Sequence, residues 1–380
     1  MTTYEVAVVG AGIVGCATAW ELARRGVRVV LVDRGAVSGG TTGLGEGNVL
    51  CSDKEPGPEL ALAAAGLALY DELEALLGVS AAVRRKGALV VHTDEDGRAA
   101  EAERLVRLRA AGVECSPLVA EEVREIEPEL RGEIAGASWF PRDLQCAPRA
   151  IARGLAGEAE RVGATVTTGV EVESIAMRGG RVAGVDTAGG PLAADAVVVA
   201  AGAWSAPLAE AAGLELPLEP RKGQLLRLER RPDLLLRKVI DGGYMRTVAS
   251  PAAGLQVSTV LETTLDGHVL IGSSRERRGF DLTVDPSVSE RLRRDAERLV
   301  PAVGDLRVDG AWAGLRPWLP GGLPAIGPTA AADGLWIATG HEGAGVAHGP
   351  ITGRLVAQAI CGEPPTLGLG PFDPDRFSRG

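Results

Sequence analysis

Two kinds of hydrophobic pattern alternate along the chain. Short, mostly apolar runs at 6–9, 27–32, 196–199 and 336–339 predict strands buried on both faces, as in a parallel sheet. Between 217 and 301 the pattern turns toward alternation, and the segments 224–228, 244–248, 256–260 and 269–272 are read as strands of an antiparallel sheet. Two more strands, at 88–91 and 137–140, are separated by a charged helix over 98–111. Further helices are expected at 13–25, 58–77, 147–161, 287–299 and 345–360, extended segments at 165–175 and 181–187, and a glycine-rich loop over 38–47. The buried runs fall at the start, middle and end, with the alternating ones between them. The chain is therefore expected to be α/β in class (α+β overall), one domain interrupted by another: 1–79, 142–216 and 309–380 form the first, and 80–141 and 217–308 form the second. No repeat of fixed period occurs.

The first buried run leads directly into Gly10-Ala11-Gly12-Ile13-Val14-Gly15, a G-x-G-x-x-G string set between a strand and a helix. That context gives the motif a mechanism. Gly10 allows the tight turn, Gly12 lets backbone amides approach a pyrophosphate, and Gly15 allows close packing of helix on strand. Asp33 ends the second strand, where a carboxylate accepts hydrogen bonds from ribose hydroxyls, with Arg34 beside it. The reading is a Rossmann-type dinucleotide site, and the fingerprint alone does not separate NAD from FAD.

Composition narrows the partners. The net charge of −10 repels phosphate backbones and argues against nucleic acid. Five cysteines with no C-x-x-C pair predict neither a disulfide framework nor a zinc site, and only four histidines leave no metal-ligand cluster. No apolar run reaches the length of a signal-peptide core or a membrane span, so a cytoplasmic protein is expected.

Later motifs occur in the order found in the D-amino-acid oxidase family of flavoenzymes, which includes glycine oxidase, sarcosine oxidase and hydroxyproline dehydrogenases. Ala200-Ala201-Gly202-Ala203-Trp204-Ser205 resembles the family's A-A-G-A-W turn beneath the cofactor. Trp312-Ala313-Gly314-Leu315-Arg316-Pro317 resembles its G-L-R-P segment. Thr41-Thr42-Gly43 resembles the loop that meets the FAD pyrophosphate, and Gly45, Glu46 and Gly47 continue it toward the flavin. Val172 matches the valine whose backbone meets the adenine. Gly340-His341-Glu342-Gly343-Ala344-Gly345 resembles the turn and helix start at the flavin pyrimidine ring, where amides and a half-positive helix end favour a reduced, negatively charged flavin.

The resemblance implies FAD, held without a covalent tether, since the family's tethering cysteine and histidine motifs are not recognisable. It implies that Arg316 grips a substrate carboxylate, a task suited to the guanidinium fork, and also lies at the cofactor. Tyr244 and Arg246, two apart on an expected strand, share a face toward the substrate. Glu46 and Asn48 stand where family members usually carry small or apolar residues, and Glu46 is a candidate for the substrate ammonium. His341 is a candidate catalytic group with a capping or packing role as its alternative. The implied reaction is oxidation of the C–N bond of a small carboxylated amine or amino acid, by hydride transfer to flavin N5, to an imine that hydrolyses to an oxo acid. O2 or another acceptor then takes the electrons. Two alternatives stand beside it: a 2-hydroxy-acid dehydrogenase, and the FAD subunit of a heteromeric opine-oxidase-like complex. Homo-oligomer or partnered assembly stays open.

Overall fold

The computed structural model describes residues 3–78, 83–245 and 250–378. Strand β1 (Tyr4–Val9), helix α1 (Ile13–Ala23) and strand β2 (Val29–Asp33) form the expected βαβ unit, with β1 and β2 parallel. They belong to an eight-stranded sheet in which β1 lies between β2 and Leu192–Val199. Thr165–Thr168 flanks β2, and Leu335–Thr339 lies parallel to Leu192–Val199 on its other side. The parallel strands read as largely apolar runs because both their faces are buried, one under helices and the other under strands Val172–Arg178 and Arg181–Thr187 with the short helix Ser205–Ala211. On one face α1 packs against Pro148–Arg161 and against helix α2 (Gly345–Ile360), with Ala17, Trp20, Leu22, Ile151, Leu155, Ile351 and Leu355 in one core.

The second sheet also has eight strands. Strand β3 (Ala88–His92) lies beside Gly136–Phe140, as the sequence predicts. Strands β4 (Glu219–Arg230), β5 (Lys238–Asp241), β6 (Gln256–Thr263), β7 (His268–Arg277) and β8 (Val308–Trp318) complete the working part, in the order β8-β4-β7-β6-β5-β3. The amphipathic helix Pro286–Leu299 covers one face with Val288, Leu292, Ala296 and Leu299, which recur at helical spacing.

Four expectations change. The 38–47 loop contains a helical turn, Thr41–Leu44. The 165–175 segment is two strands, Thr165–Thr168 and Val172–Arg178. The strand expected at 244–248 is not formed where it is described: Tyr244 and Met245 lie in a helical turn, and Arg246 lies outside the described residues. Alternation over so few positions did not discriminate between the two periods. Lastly, β8 hydrogen-bonds to β4 from Val308 onward, so the 309–318 segment pairs in the second sheet and not in the first. Its Gly310, Gly314 and Pro317 disguise a long strand.

A line of buried charge runs between β3, β5 and β6. Lys238 Nζ lies 2.9 Å from Glu46 Oε2 and 3.4 Å from Glu262 Oε2, and Lys86 Nζ lies 3.0 Å from the same Glu262 oxygen. Burial pushes the Lys86 ammonium down to about 8 despite Glu262.

Candidate active site

The glycine motif is shaped by backbone meeting backbone. Gly10 has φ +109°, where L side chains are strained, and a Cβ there would lie 2.5 Å from Ala200 O. A Cβ on Gly15 would lie 1.8 Å from Gly10 O. The G-x-G-x-x-G turn and the Ala200-Ala201-Gly202 turn thus interlock, and the α1 N-terminus opens into a cavity of about 800 Å³. Ile13 N donates to Thr42 Oγ1 (3.0 Å), which closes the 38–47 segment over that helix end. The Asp33 carboxylate accepts from Ala11 N (2.6 Å) and Gly35 N (2.7 Å). It therefore fixes the turn as well as facing the cavity.

From this end the cavity continues past Val172, Ala201, Trp204 and Thr41 to Glu46, Asn48, Tyr244, Arg316, His341 and Glu342. Gly10, Gly12, Ile13, Val14, Asp33, Arg34, Thr42, Gly45, Ala200, Gly202, Gly343 and Gly345 also line it. Ala11, Gly15, Gly43, Gly47, Gly340 and Ala344 are absent from its wall and shape the turns behind it. An elongated cavity with a glycine-edged helix end, a carboxylate anchor and an apolar middle fits a flavin dinucleotide. Trp204 forms part of its rim, with the Arg34 guanidinium 4.7 Å from its ring and Phe280 stacked at 5.6 Å.

Two hydrogen bonds join the glycine-rich segment to the strand that carries Arg316. Thr41 Oγ1 donates to Leu315 O (2.5 Å), and Trp312 Nε1 donates to Leu44 O (2.8 Å). Arg316 Nη1 donates to Ser274 O (2.9 Å). Its guanidinium packs against Gly223, where a Cβ would meet Nη1 at 2.0 Å. Opposite, Asn48 Nδ2 (2.6 Å) and Lys238 Nζ (2.9 Å) both donate to Glu46 Oε2. A side chain the sequence placed in a loop is thereby locked in orientation.

Sequence reading missed what surrounds Glu342. This residue has φ +44°, uncommon for a non-glycine residue, and its N–H donates to Pro317 O (3.0 Å). Its Oε2 accepts from Gly343 N. Its Oε1 lies 3.6 Å from Arg221 Nη1, 3.6 Å from Arg275 Nε and 3.9 Å from Arg316 Nε. The three arginines come from neighbouring strands β4, β7 and β8, and Arg221 and Arg316 are direct cross-strand partners. Like charges so placed repel, and Glu342 relieves part of that repulsion. Burial opposes ionisation of Glu342, but the three guanidiniums outweigh it and hold its carboxyl below the usual range. The Arg275 guanidinium also lies 4.5 Å from the centre of the Tyr244 ring. His341 Nε2 pairs with Thr352 Oγ1 at 2.9 Å, and burial pushes its imidazole down to about 3. It is neutral and locked, as a packing role requires.

The family described as FAD dependent oxidoreductase (DAO) matches residues 5–359. Glycine oxidase of Pseudomonas aeruginosa is 34% identical over 97% of this chain and 98% of its own. The crystal structure of glycine oxidase from Geobacillus kaustophilus superposes with a TM-score of 0.88 at 29% identity, over 98% of both chains. That of iminodiacetate oxidase from Chelativorans sp. BNC1 gives 0.84 at 27% identity, over 97% of this chain and 99% of the other.

Proposed function

This chain belongs to the DAO family of FAD-dependent oxidoreductases and oxidises the C–N bond of an amino acid or small amine; from that premise we propose that Arg316 binds the substrate carboxylate. The observation that carries the proposal is the guanidinium on the cavity wall, packed against Gly223, where any side chain on β4 would displace it. The chemistry that bound FAD supplies is two-electron acceptance, which converts the neutral amine to an imine that water hydrolyses to an oxo acid. Gly10, Gly12 and the α1 N-terminus would hold the pyrophosphate, Asp33 the adenosine ribose, and the start of α2 the pyrimidine edge. No base at carbon is required of the protein. Its task is to orient the amine and place charge. Glu46, held by Asn48 and Lys238, faces the same space and stabilises the ammonium that must lose its proton. Tyr244 closes the wall over Arg275.

His341, held by Thr352 and a weak base when buried, is poorly suited to take a hydroxyl proton. This disfavours the 2-hydroxy-acid reading. FAD is proposed to be dissociable, since none of the five cysteines lines the cavity. Among the described residues no helix is long and apolar enough to cross a membrane, and five free thiols support a reducing compartment such as the cytoplasm.

Asp33→Ala removes a charged acceptor of the kind that contributes about 1.5–3 kcal/mol, so FAD affinity is expected to fall roughly 10-fold to 150-fold. Fluorescence titration of the apoprotein measures this, and unchanged affinity would remove Asp33 from the site. The reading as a whole is tested by adding glycine, sarcosine, D- and L-amino acids, prolines and 2-hydroxy acids anaerobically to the yellow protein. Amines should bleach the visible band. Bleaching by hydroxy acids alone would reverse the assignment.

A further inference from the structure

Glu46 and Arg316 line the same cavity, and each lies in a hollow left by a glycine on one of two neighbouring strands. Arg316 occupies space that a side chain at Gly223 on β4 would fill, and Glu46 Oε1 occupies space that one at Gly272 on β7 would fill. The two oxygens of Glu46 are not equivalent. Oε2 accepts from Asn48 Nδ2 (2.6 Å) and Lys238 Nζ (2.9 Å), whereas Oε1 accepts no hydrogen bond among the described residues. What holds Oε2 is itself held. Lys238 is 2% exposed, and its Nζ also lies 3.4 Å from Glu262 Oε2, which accepts from Lys86 Nζ at 3.0 Å. Burial opposes the charge on Lys238, but Glu262 and Glu46 outweigh it and keep the ammonium protonated. A glutamate in a loop ordinarily follows its ligand through its rotatable bonds. This one is tied to Lys238 on β5 and, through it, to Glu262 on β6.

We propose that Lys238 is a positioning residue that makes the enzyme select one hand of a chiral α-amino acid, by fixing Glu46 so that Oε1 meets the substrate amine. This rests on the readings of Arg316 and Glu46 given above and adds the device that sets specificity. With the carboxylate on Arg316 and the amine on Glu46 Oε1, two of the four groups on the α-carbon have fixed places. The hydrogen and the side chain share the remaining two, and the mirror-image substrate exchanges them. Hydride transfer needs the reacting atoms about 3–3.5 Å apart, so the hand that presents its side chain in place of hydrogen reacts slowly. A Glu46 free to turn would let the amine shift and would admit both hands.

The experiment measures anaerobic reduction of the FAD-loaded enzyme by the two enantiomers of alanine and of proline. The ratio of the two rates is unaffected by the fraction of protein that is folded, so a purely structural defect leaves it unchanged. The wild-type enzyme should favour one hand. Lys238→Met should narrow the ratio at least about 10-fold, the scale on which small misplacements act, equivalent to about 1.4 kcal/mol. Gly272→Ala displaces Oε1 without changing any charge; it should narrow the ratio too, and it stands in if Lys238→Met fails to fold. In a Glu46→Ala background Lys238→Met should add nothing, because the lysine acts through Glu46. Binding gives a second readout. By calorimetry 2-aminoisobutyrate, which has no α-hydrogen and does not react, should bind Lys238→Met no more weakly than wild type, since Glu46 keeps its charge and loses only its orientation. A wild-type enzyme that reacts equally with both hands, or with neither hand of either pair, overturns the proposal. So does a ratio unchanged in both Lys238→Met and Gly272→Ala, a further narrowing by Lys238→Met in the Glu46→Ala background, or weaker binding of 2-aminoisobutyrate to Lys238→Met. If Arg316→Ala leaves the rates within a few-fold of wild type, the carboxylate anchor itself is wrong and the proposal falls with it.

Discussion

Arg316→Ala is expected to lower kcat/KM on a carboxylated amine by about 30-fold to several thousand-fold while FAD stays bound. The range follows from the roughly 2–5 kcal/mol that truncating one member of a desolvated charge pair costs, at about 1.4 kcal/mol per decade. The structure adds reasons to expect the upper part of the range. The guanidinium is oriented by Ser274 O and by close packing against Gly223, so its fork is set before substrate arrives and little entropy is lost on binding. Burial and the neighbouring Arg275 lower its proton affinity against the opposing pull of Glu342. Arg316→Lys keeps the charge but not the fork and should fall between wild type and Ala. Steady-state kinetics with the best amine of the panel, alongside the visible spectrum, separates the outcomes. An Ala variant within a few-fold of wild type, still yellow, would mean that another group binds the carboxylate.

Glu262→Ala should destabilise the fold by about 3–5 kcal/mol, the typical cost of removing one partner from a buried ion pair. Burial opposes ionisation of this carboxyl, but the ammoniums of Lys238 and Lys86 hold it down at about 2. Its folded value thus lies below its ordinary one of 4.5. Its contribution is complete above that ordinary value and is lost as pH falls through about 2. In the Ala variant both lysines keep their burial and lose this partner. Lys238 retains Glu46, but Lys86, already lowered to about 8 by burial, falls further below its unfolded value, so the climb of stability with pH through the alkaline range should begin at lower pH than in the wild type. Denaturant midpoints across pH measure both effects. A loss below about 1 kcal/mol would show that water or rearrangement compensates the lysines.

Much of the cofactor end was legible because its chemistry is local. Gly10, Gly12, Gly15 and Asp33 act through a turn and two strand ends within one βαβ unit, and Ala200 to Trp204 follow a buried strand directly. The Arg316 segment was recognised by its string, although its strand was not, because Gly310, Gly314 and Pro317 interrupt the pattern. The polar interior was illegible. Arg221, Arg275, Lys238 and Glu262 lie on strands, where a charged residue in an alternating run reads as the solvent face. They are buried because eight strands and the start of α2 converge, and no periodicity records that convergence. Glu342 was taken for a flavin contact; its place against three arginines depends on cross-strand register between segments far apart in the chain, such as Arg221 and Arg316.

Helix α1 has no polar side: every residue from Cys16 to Ala23 is buried, and part of its cover is α2, whose first residue lies more than three hundred positions later. With synthesis at about 5–20 residues per second, α1 waits roughly a quarter of a minute to a minute for that cover. During this interval Trp20, Leu22 and their neighbours are exposed to whatever apolar surface is nearby. Slower elongation or a crowded ribosome therefore lengthens the period in which the nascent chain depends on chaperones, and soluble yield is decided before FAD has a finished site to enter.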